Sequence, residues 1–399
     1  MARASYDAIV LGAGGVGSAA MWQLASRGLK VLGIDRFAPP HARGSSHGQT
    51  RIIRQAYFEH PDYVPLLLES YRLWQELEGM AGRPLLVETG LLEVGSASGA
   101  VVPGVLDAAR QHGLEVQTLA AAEIEHRWPA LRIPDPYVGV FEARAGFLHV
   151  EPCVEAQLTA ARRAGAELKT EVEVHEWCAR GEIHLRTSAG DFSADRLVIT
   201  AGAWAGTMLA GVLPPLEVRR KVMLWHRSDD QRLAPAAGFP CFLFEQPDSV
   251  VYGFPAIDPR GLKLAEHSGG GSVADPLSVD RSLHADDQAP IADFVHRHFP
   301  SVSPTCCDHA VCLYTMSPDE HFIVDRHPQD ERIVFAAGLS GHGFKFAPVL
   351  GALLADLALN RACKHPAEFL SCARFQRADH CRPGTSLSDL GEVKPHRTG

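Results

Sequence analysis

A chain of 399 residues is too long for one small hydrophobic core and predicts two domains. Its 46% hydrophobic and 21% charged residues are those of a globular protein, and a net charge of −9 argues against a general binder of nucleic acid or anionic membrane. Nine cysteines, an odd number scattered without C-x-x-C pairs, suggest neither a disulfide framework nor a zinc site, so no metal is expected. Tyr6-Asp-Ala-Ile-Val-Leu11 is an apolar run of β character that enters Gly12-Ala-Gly14-Gly-Val-Gly17, a full G-x-G-x-x-G. A helix over residues 18–27 follows, closed by Gly28, and a second apolar run over 30–34 ends on Asp35. Each part has a physical task in holding a dinucleotide. Gly12 permits the tight turn, Gly14 has no Cβ to keep a pyrophosphate away, and Gly17 lets helix and strand pack closely. The helix N-terminus offers free N–H groups and a positive dipole end to phosphates, and Asp35 can accept from ribose hydroxyls. The pattern does not separate FAD from NAD(P).

Further along, a loop with Pro39-Pro40 and Gly44–Gly48 precedes Thr50-Arg51-Ile-Ile-Arg54. The spacing predicts a helix over 62–78 with Tyr63, Leu66, Leu67, Tyr71 and Trp74 on one side. Residues 86–145 mix strand-like runs such as 91–94 with a helical stretch over 105–112. A helix over 151–165 leads into extended segments at 167–174 and 183–187, and the apolar strand beginning at Leu197 runs into a glycine turn, as a returning strand of the first sheet should. Residues 215–316 favour extended segments, at 218–225, 241–245, 250–254 and 310–315. A last apolar strand over 332–337 meets Gly338-Leu-Ser-Gly341-His-Gly343-Phe-Lys345 and a helix to about residue 359. This order predicts an α/β architecture in which a cofactor domain (1–85, 146–214 and 317–380) is interleaved with a β-rich substrate domain (86–145 and 215–316). The tail, 381–399, is expected to be loosely held. No basic and apolar leader precedes the first strand, and the apolar stretch over 346–359 contains Asp356 and is too short for a bilayer, so a cytoplasmic chain is expected.

Three features carry candidate chemistry. The second glycine-rich turn, between strand and helix, aims a helix N-terminus where a flavin pyrimidine edge would need one, although alone it reads as a simple turn. Arg54 and Lys345 are cations in apolar runs. Either they form structural ion pairs, the commoner case, or they grip a carboxylate-bearing substrate. Cys312, between apolar neighbours, reads by itself as a small core residue.

Gly48-Gln-Thr50-Arg51-Ile-Ile-Arg54, Tyr252-Gly-Phe-Pro255, Gly261-Leu-Lys263-Leu, Val311-Cys312-Leu-Tyr314-Thr315, Asp319-Glu-His-Phe-Ile-Val-Asp325 and Gly341-His-Gly-Phe-Lys345-Phe346 together resemble the monomeric sarcosine oxidase/N-methyltryptophan oxidase family, over about residues 6–360. The resemblance implies a Rossmann-type FAD-binding domain interleaved with a β-rich α+β substrate domain, a monomer, and FAD attached through its 8α-methyl to Cys312. It implies oxidation of a secondary amino acid by O₂, giving peroxide and an imine that hydrolyses. It makes Arg54 and Lys345, with Tyr252, the grip on the substrate. Lys263, Arg51, His267, Tyr314 and Tyr252 become the catalytic group, with Lys263 the cation that promotes oxygen reduction. FAD would be contacted by Gly12, Gly14, Gly17, Asp35, Arg36, Ser45, His47, Thr50, Arg51 and Val174, and by Cys312, Gly341, Gly343 and Lys345. Gln55, Phe58-Glu59-His60, Leu243 and Ala265-Glu266 depart from the family pattern, which leaves the identity of the amine open. Pipecolate, proline-like imino acids and fructosyl amino acids remain alternatives, as do a dehydrogenase using a carrier, an NAD(P)-dependent enzyme and a nucleotide-binding scaffold.

Overall fold

The computed structural model describes residues 5–375. β1 (Ser5–Leu11), α1 (Gly15–Ala25) and β2 (Val31–Ile34) form the opening unit. Ala8, Ile9 and Val10 are fully buried, as a parallel strand covered on both faces requires. β1 pairs in parallel with β2 and with Gly190–Ile199, so that Leu11 lies opposite both Ile34 and Ile199. Gly190–Ile199 pairs in turn with Asp330–Ala337, also in parallel, which brings the middle and last thirds of the chain back to the first sheet. α1 starts at Gly15, three residues before the expected position, because Gly15 and Gly17 enter the helix themselves. It is buried nearly all round, with Ser18 Oγ donating to Gln157 on the helix Val150–Arg163 at 2.6 Å and Ala19 lying against Gly351 of the helix Ala347–Ala358. A helix packed on every side has no need of a polar face, and α1 has none.

The second sheet is largely antiparallel. Its strands run in the order Gly271–Ser272, Glu217–His226, Leu262–Glu266, Val250–Phe254, Cys241–Glu245, Leu91–Gly95, Val138–Glu142 and Gln117–Ala120, with Cys306–Met316 paired along Glu217–His226. The period of two along each strand sorts the side chains. Phe242, Phe244, Leu92, Val94, Leu262 and Leu264 face an aromatic core with Phe239, Phe294 and Phe299. Leu243, Glu93 and Lys263, the alternate residues, face the other way, toward the site. A three-stranded sheet of Thr50–Ile53, Gly146–His149 and Leu86–Val87 joins the two regions.

Several boundaries differ from expectation, for physical reasons. The segment expected at 167–174 breaks into Glu167–Lys169 and Val174–Arg180, because Glu171 takes a left-handed φ of 58° between them. The helix Val101–His112 starts four residues early, since Pro103 is tolerated in a first turn, and Gly104 is placed where an added Cβ would come within 2.9 Å of Phe58. Within the region read as extended, Ala285–His298 is helical; Ile291, Phe294, Val295 and His298 are its buried stripe. Among the described residues no helix is long and apolar enough to cross a membrane. The tail expected at 381–399 lies outside the described residues.

Candidate active site

A cavity of about 380 Å³ opens over the first glycine turn. Gly12 has a φ of +88°, and a Cβ there would sit 2.6 Å from the Thr200 carbonyl oxygen. A Cβ on Gly17 would sit 1.7 Å from the Gly12 carbonyl oxygen, whereas one on Gly14 would meet nothing nearer than Ser46 Oγ at 3.6 Å. Thus Gly12 and Gly17 make the turn possible, and Gly14 leaves its outer side open for a ligand. One end of the cavity has Asp35, Arg36, Phe37, His41 and Trp204; the other has Cys312, Tyr314, Gly341 and Phe344. The buried Trp204 indole N–H has no hydrogen-bond partner among the described residues, so a polar ligand group there would satisfy it. Asp35 already accepts from Ala13 N at 2.7 Å and Phe37 N at 2.8 Å, which fixes its carboxylate at the turn. At the far end an Arg51 N–H lies 3.3 Å from Cys312 Sγ. In the second glycine turn Gly341 has a φ of +81°, and a Cβ on it would strike the Tyr314 ring at 2.2 Å. An elongated cavity with bare backbone at its waist, an acid at one end and a buried cysteine at the other fits a dinucleotide whose second half is a large ring.

Gly12, Gly14, Asp35, Arg36, Ser45, Arg51, Val174, Cys312, Gly341 and Gly343 all line this cavity, with Gly17 packed behind it. Three other residues expected at the cofactor lie elsewhere. His47 is buried, and its Nε2 has no partner among the described residues. The Thr50 hydroxyl serves Lys263, and Lys345 lines a second, smaller cavity of about 50 Å³. That pocket shares Arg51, Tyr314, Gly341 and Phe344 with the first and adds Arg54, Glu59, Leu243, Tyr252 and His267.

The second pocket is a cluster of buried charges. Arg54 Nη2 donates to Glu59 Oε2 at 2.5 Å, while Arg54 Nε lies 3.5 Å from Glu93 Oε1. Its guanidinium stacks over Tyr57 and Phe58, 4.4 and 4.6 Å from the ring centres. Burial raises the Glu59 carboxyl, but Arg54, His342 and Lys345 outweigh it and hold the group down at about 2. Lys345 donates to the His342 carbonyl at 2.9 Å and to the Tyr57 hydroxyl at 3.4 Å. Burial, and then Arg54, bring its ammonium down to about 7 against the pull of Glu59 and Glu93. His342 Nε2 donates to the Glu320 carbonyl at 3.0 Å, which leaves Nδ1 to accept from Tyr57 Oη at 2.5 Å. Burial lowers His342 to about 3 and His267 to about 4, so both imidazoles are neutral at pH 7. The two readings of Arg54 therefore coincide: it is ion-paired, and it faces a pocket.

Lys263 does not line either pocket. Its ammonium lies behind Thr50 and donates to the Gly48 carbonyl at 2.6 Å, the Thr50 carbonyl at 2.8 Å and Thr50 Oγ1 at 2.8 Å. Burial, and then Arg51, lower its pKa well below the usual lysine range. Two of the three oxygens are carbonyls, which accept from Nζ and stabilise its charged form, while the Thr50 hydroxyl can either accept or donate. Sequence reasoning missed Glu93 and Glu142, two buried acids on neighbouring strands. Their signal was an acid interrupting an apolar alternation, as in Leu92-Glu93-Val94.

A model of the FAD dependent oxidoreductase family matches residues 7–357. The chain is 41% identical to a monomeric sarcosine oxidase of Streptomyces avermitilis over 94% of this chain and 99% of that one. It is 38% identical to an N-methyl-L-tryptophan oxidase of Yersinia pestis over 93% of this chain and 100% of that one. Among solved structures, an L-proline dehydrogenase from P. horikoshii superposes with a TM-score of 0.81 at 21% identity, covering 94% of this chain and 99% of that one. At that identity the likeness shows the fold alone.

Proposed function

The chain belongs to the family of FAD-dependent oxidoreductases, and from that premise we propose that it is an oxidase of a secondary, N-methylated amino acid. The products are the primary amino acid, formaldehyde and hydrogen peroxide. The observation that carries this reading is a pocket holding two buried cations, Arg54 and Lys345, against the end of the cofactor cavity. A carboxylate needs such a pair: the guanidinium gives a planar fork and the ammonium a point charge. The substrate carboxylate would take the Arg54 Nη2 position that Glu59 occupies, and its arrival would restore the proton on Lys345.

The amine would then face Tyr252, Tyr314 and His267. It must lose its ammonium proton before a hydride can leave the adjacent carbon. The Arg51 cation favours that loss, and neutral His267, 3.4 Å from the Tyr314 hydroxyl, brings no positive charge of its own to this side of the pocket. FAD, when bound, would supply the two-electron acceptor for that hydride, with dioxygen as the final oxidant. Gly12, Gly14, Asp35, Arg36, Ser45 and Val174 would hold it, with Cys312 as the point of covalent attachment. Lys263 would supply fixed positive charge for oxygen reduction. We take the enzyme to act as a cytoplasmic monomer with the interleaved domain boundaries given above.

A screen of N-methyl and cyclic amino acids, scored by peroxide output in air and flavin bleaching under argon, tests the reading. N-methyl amino acids should give both signals; bleaching without peroxide would make the chain a dehydrogenase. Acid-precipitated wild-type protein should stay yellow, and Cys312→Ser should release its colour to the supernatant. Colour lost from the wild type would refute the attachment.

A further inference from the structure

Glu93 takes no part in the reading above, yet it is the least explained side chain near the pocket. It sits in the strand Leu91–Gly95, directly opposite Leu243 on one neighbour and Val140 on the other. The pleat turns it away from the aromatic core into a cluster of Ala56, Val101, Val102, Val105, Val140 and Leu243. It is 0% exposed, and neither carboxyl oxygen has a hydrogen-bond partner among the described residues. Arg54 Nε, 3.5 Å away, also lacks one. The chain after Arg54 does not need Glu93, because Glu142 already accepts from Gln55 N at 2.8 Å and Ala56 N at 2.9 Å. Arg54 is thus addressed by two carboxyls, Glu59 at the Nη2 end that faces the pocket and Glu93 at Nε behind it.

We propose that Glu93 is a positioning residue for substrate binding: protonated, it leaves the Arg54 fork to the substrate carboxylate, and ionised, it draws the guanidinium back and weakens that grip. The inference rests on the reading of Arg54 as a carboxylate clamp. The titratable groups that act on Glu93 are Arg54, Glu59, Glu142 and Lys345, and it acts in turn on the Tyr57 hydroxyl. Burial raises its carboxyl most, Arg54 and Lys345 lower it, Glu142 and Glu59 raise it, and the balance falls at about 8. The faces packed on it from the helix Val101–His112 and the strand Cys241–Glu245 are apolar. Below about pH 8 a neutral Glu93 leaves Arg54 with Glu59 as its one anionic neighbour of the two; above it a second anion competes for the guanidinium.

Propionate tests this, because it carries the carboxylate without an amine to titrate or oxidise. Its Kd is measured by calorimetry on the flavin-loaded enzyme from pH 6.5 to 9.5, for wild type, Glu93→Gln, Glu93→Leu and Arg54→Met. The wild-type Kd should climb across the alkaline range, in part through Lys345. Both Glu93 variants should remove about a tenfold share of that climb while binding near neutrality stays close to wild type. Turnover should follow in KM and leave kcat little changed, a split that a merely structural acid would not produce. A wild-type slope in either folded variant, with Arg54→Met binding poorly, overturns the proposal and leaves the clamp standing. Unimpaired propionate binding by Arg54→Met overturns the clamp and the proposal together.

Discussion

The cofactor cavity and the substrate pocket share a wall at Arg51, Tyr314 and Gly341, yet they are made of different material. The first is a backbone object. Gly12 and Gly17 are glycine because a Cβ at either position would enter a carbonyl oxygen, and these constraints lie within one short stretch of chain. The second is an object of side-chain charge. Arg54, Glu59, Glu93 and Lys345 set one another's protonation, and two strands and a helix turn must come together before any of them has its final character. The first should therefore fail sterically and all at once, and the second by degrees and with pH.

The largest effect should come from Gly17→Ala. The added methyl would lie 1.7 Å from the Gly12 carbonyl oxygen and 2.6 Å from Thr200 Oγ1, a clash that backbone must absorb. The expected cost is on the order of 3 kcal/mol, with loss of flavin. The ratio of flavin to protein absorbance and the melting temperature measure it; full flavin content with an unchanged Tm would show that the cradle is softer than its geometry implies. Next comes Lys263→Met. If the ammonium serves oxygen reduction, reoxidation by O₂ should slow about a hundred- to a thousandfold while anaerobic reduction is comparatively spared. The three oxygens now around Nζ make a structural role the rival. Equal slowing of both half-reactions in rapid mixing would favour that rival.

The same contrast explains what the sequence revealed. The G-x-G-x-x-G unit is legible because its physics is local, and the helix start slipped only because two of its glycines are helical. Arg54 and Lys345 are visible as cations out of place in apolar runs. Their partners are not: Glu59 stands in an irregular segment, and Glu93 matters only because the pleat puts it beside Leu243, a neighbour distant in sequence. The Tyr57–His342–Lys345 contacts are hidden for the same reason. The helix Ala285–His298 is hidden in the sequence because Asp286, Asp287 and Pro290 obscure a stripe that begins only at Ile291.

In the charged pocket, Arg54→Met and Lys345→Met should each weaken carboxylate binding about ten- to a hundredfold. Only one of these losses should depend strongly on pH near neutrality. Lys345, at about 7, is an ammonium below that pH and an amine above it, so wild-type affinity for propionate should fall as pH rises through 7. Lys345→Met should bind weakly at pH 6 and lack that limb. A limb of full size in the variant would assign the titration elsewhere.

The smallest effect, and the only gain, is expected from Glu59→Gln. Glu59 holds the Nη2 end of Arg54 at 2.5 Å and, at about 2, is ionised throughout the working range. It is therefore a competitor for the substrate carboxylate, built into the chain and present at fixed concentration. Glutamine keeps the shape and a weaker hydrogen bond but gives up the charge, so propionate should bind roughly three- to tenfold more tightly. An N-methyl amino acid should gain less, because the same change makes the pocket more positive around its ammonium. The opposing possibility is that Glu59 is a brace, without which the guanidinium leaves its stack on Tyr57 and Phe58. Calorimetry separates the two by sign: a brace would make Glu59→Gln bind propionate more weakly than wild type. In that event the pocket would resemble the glycine cradle, preset by geometry, more than a balance of exchangeable charges.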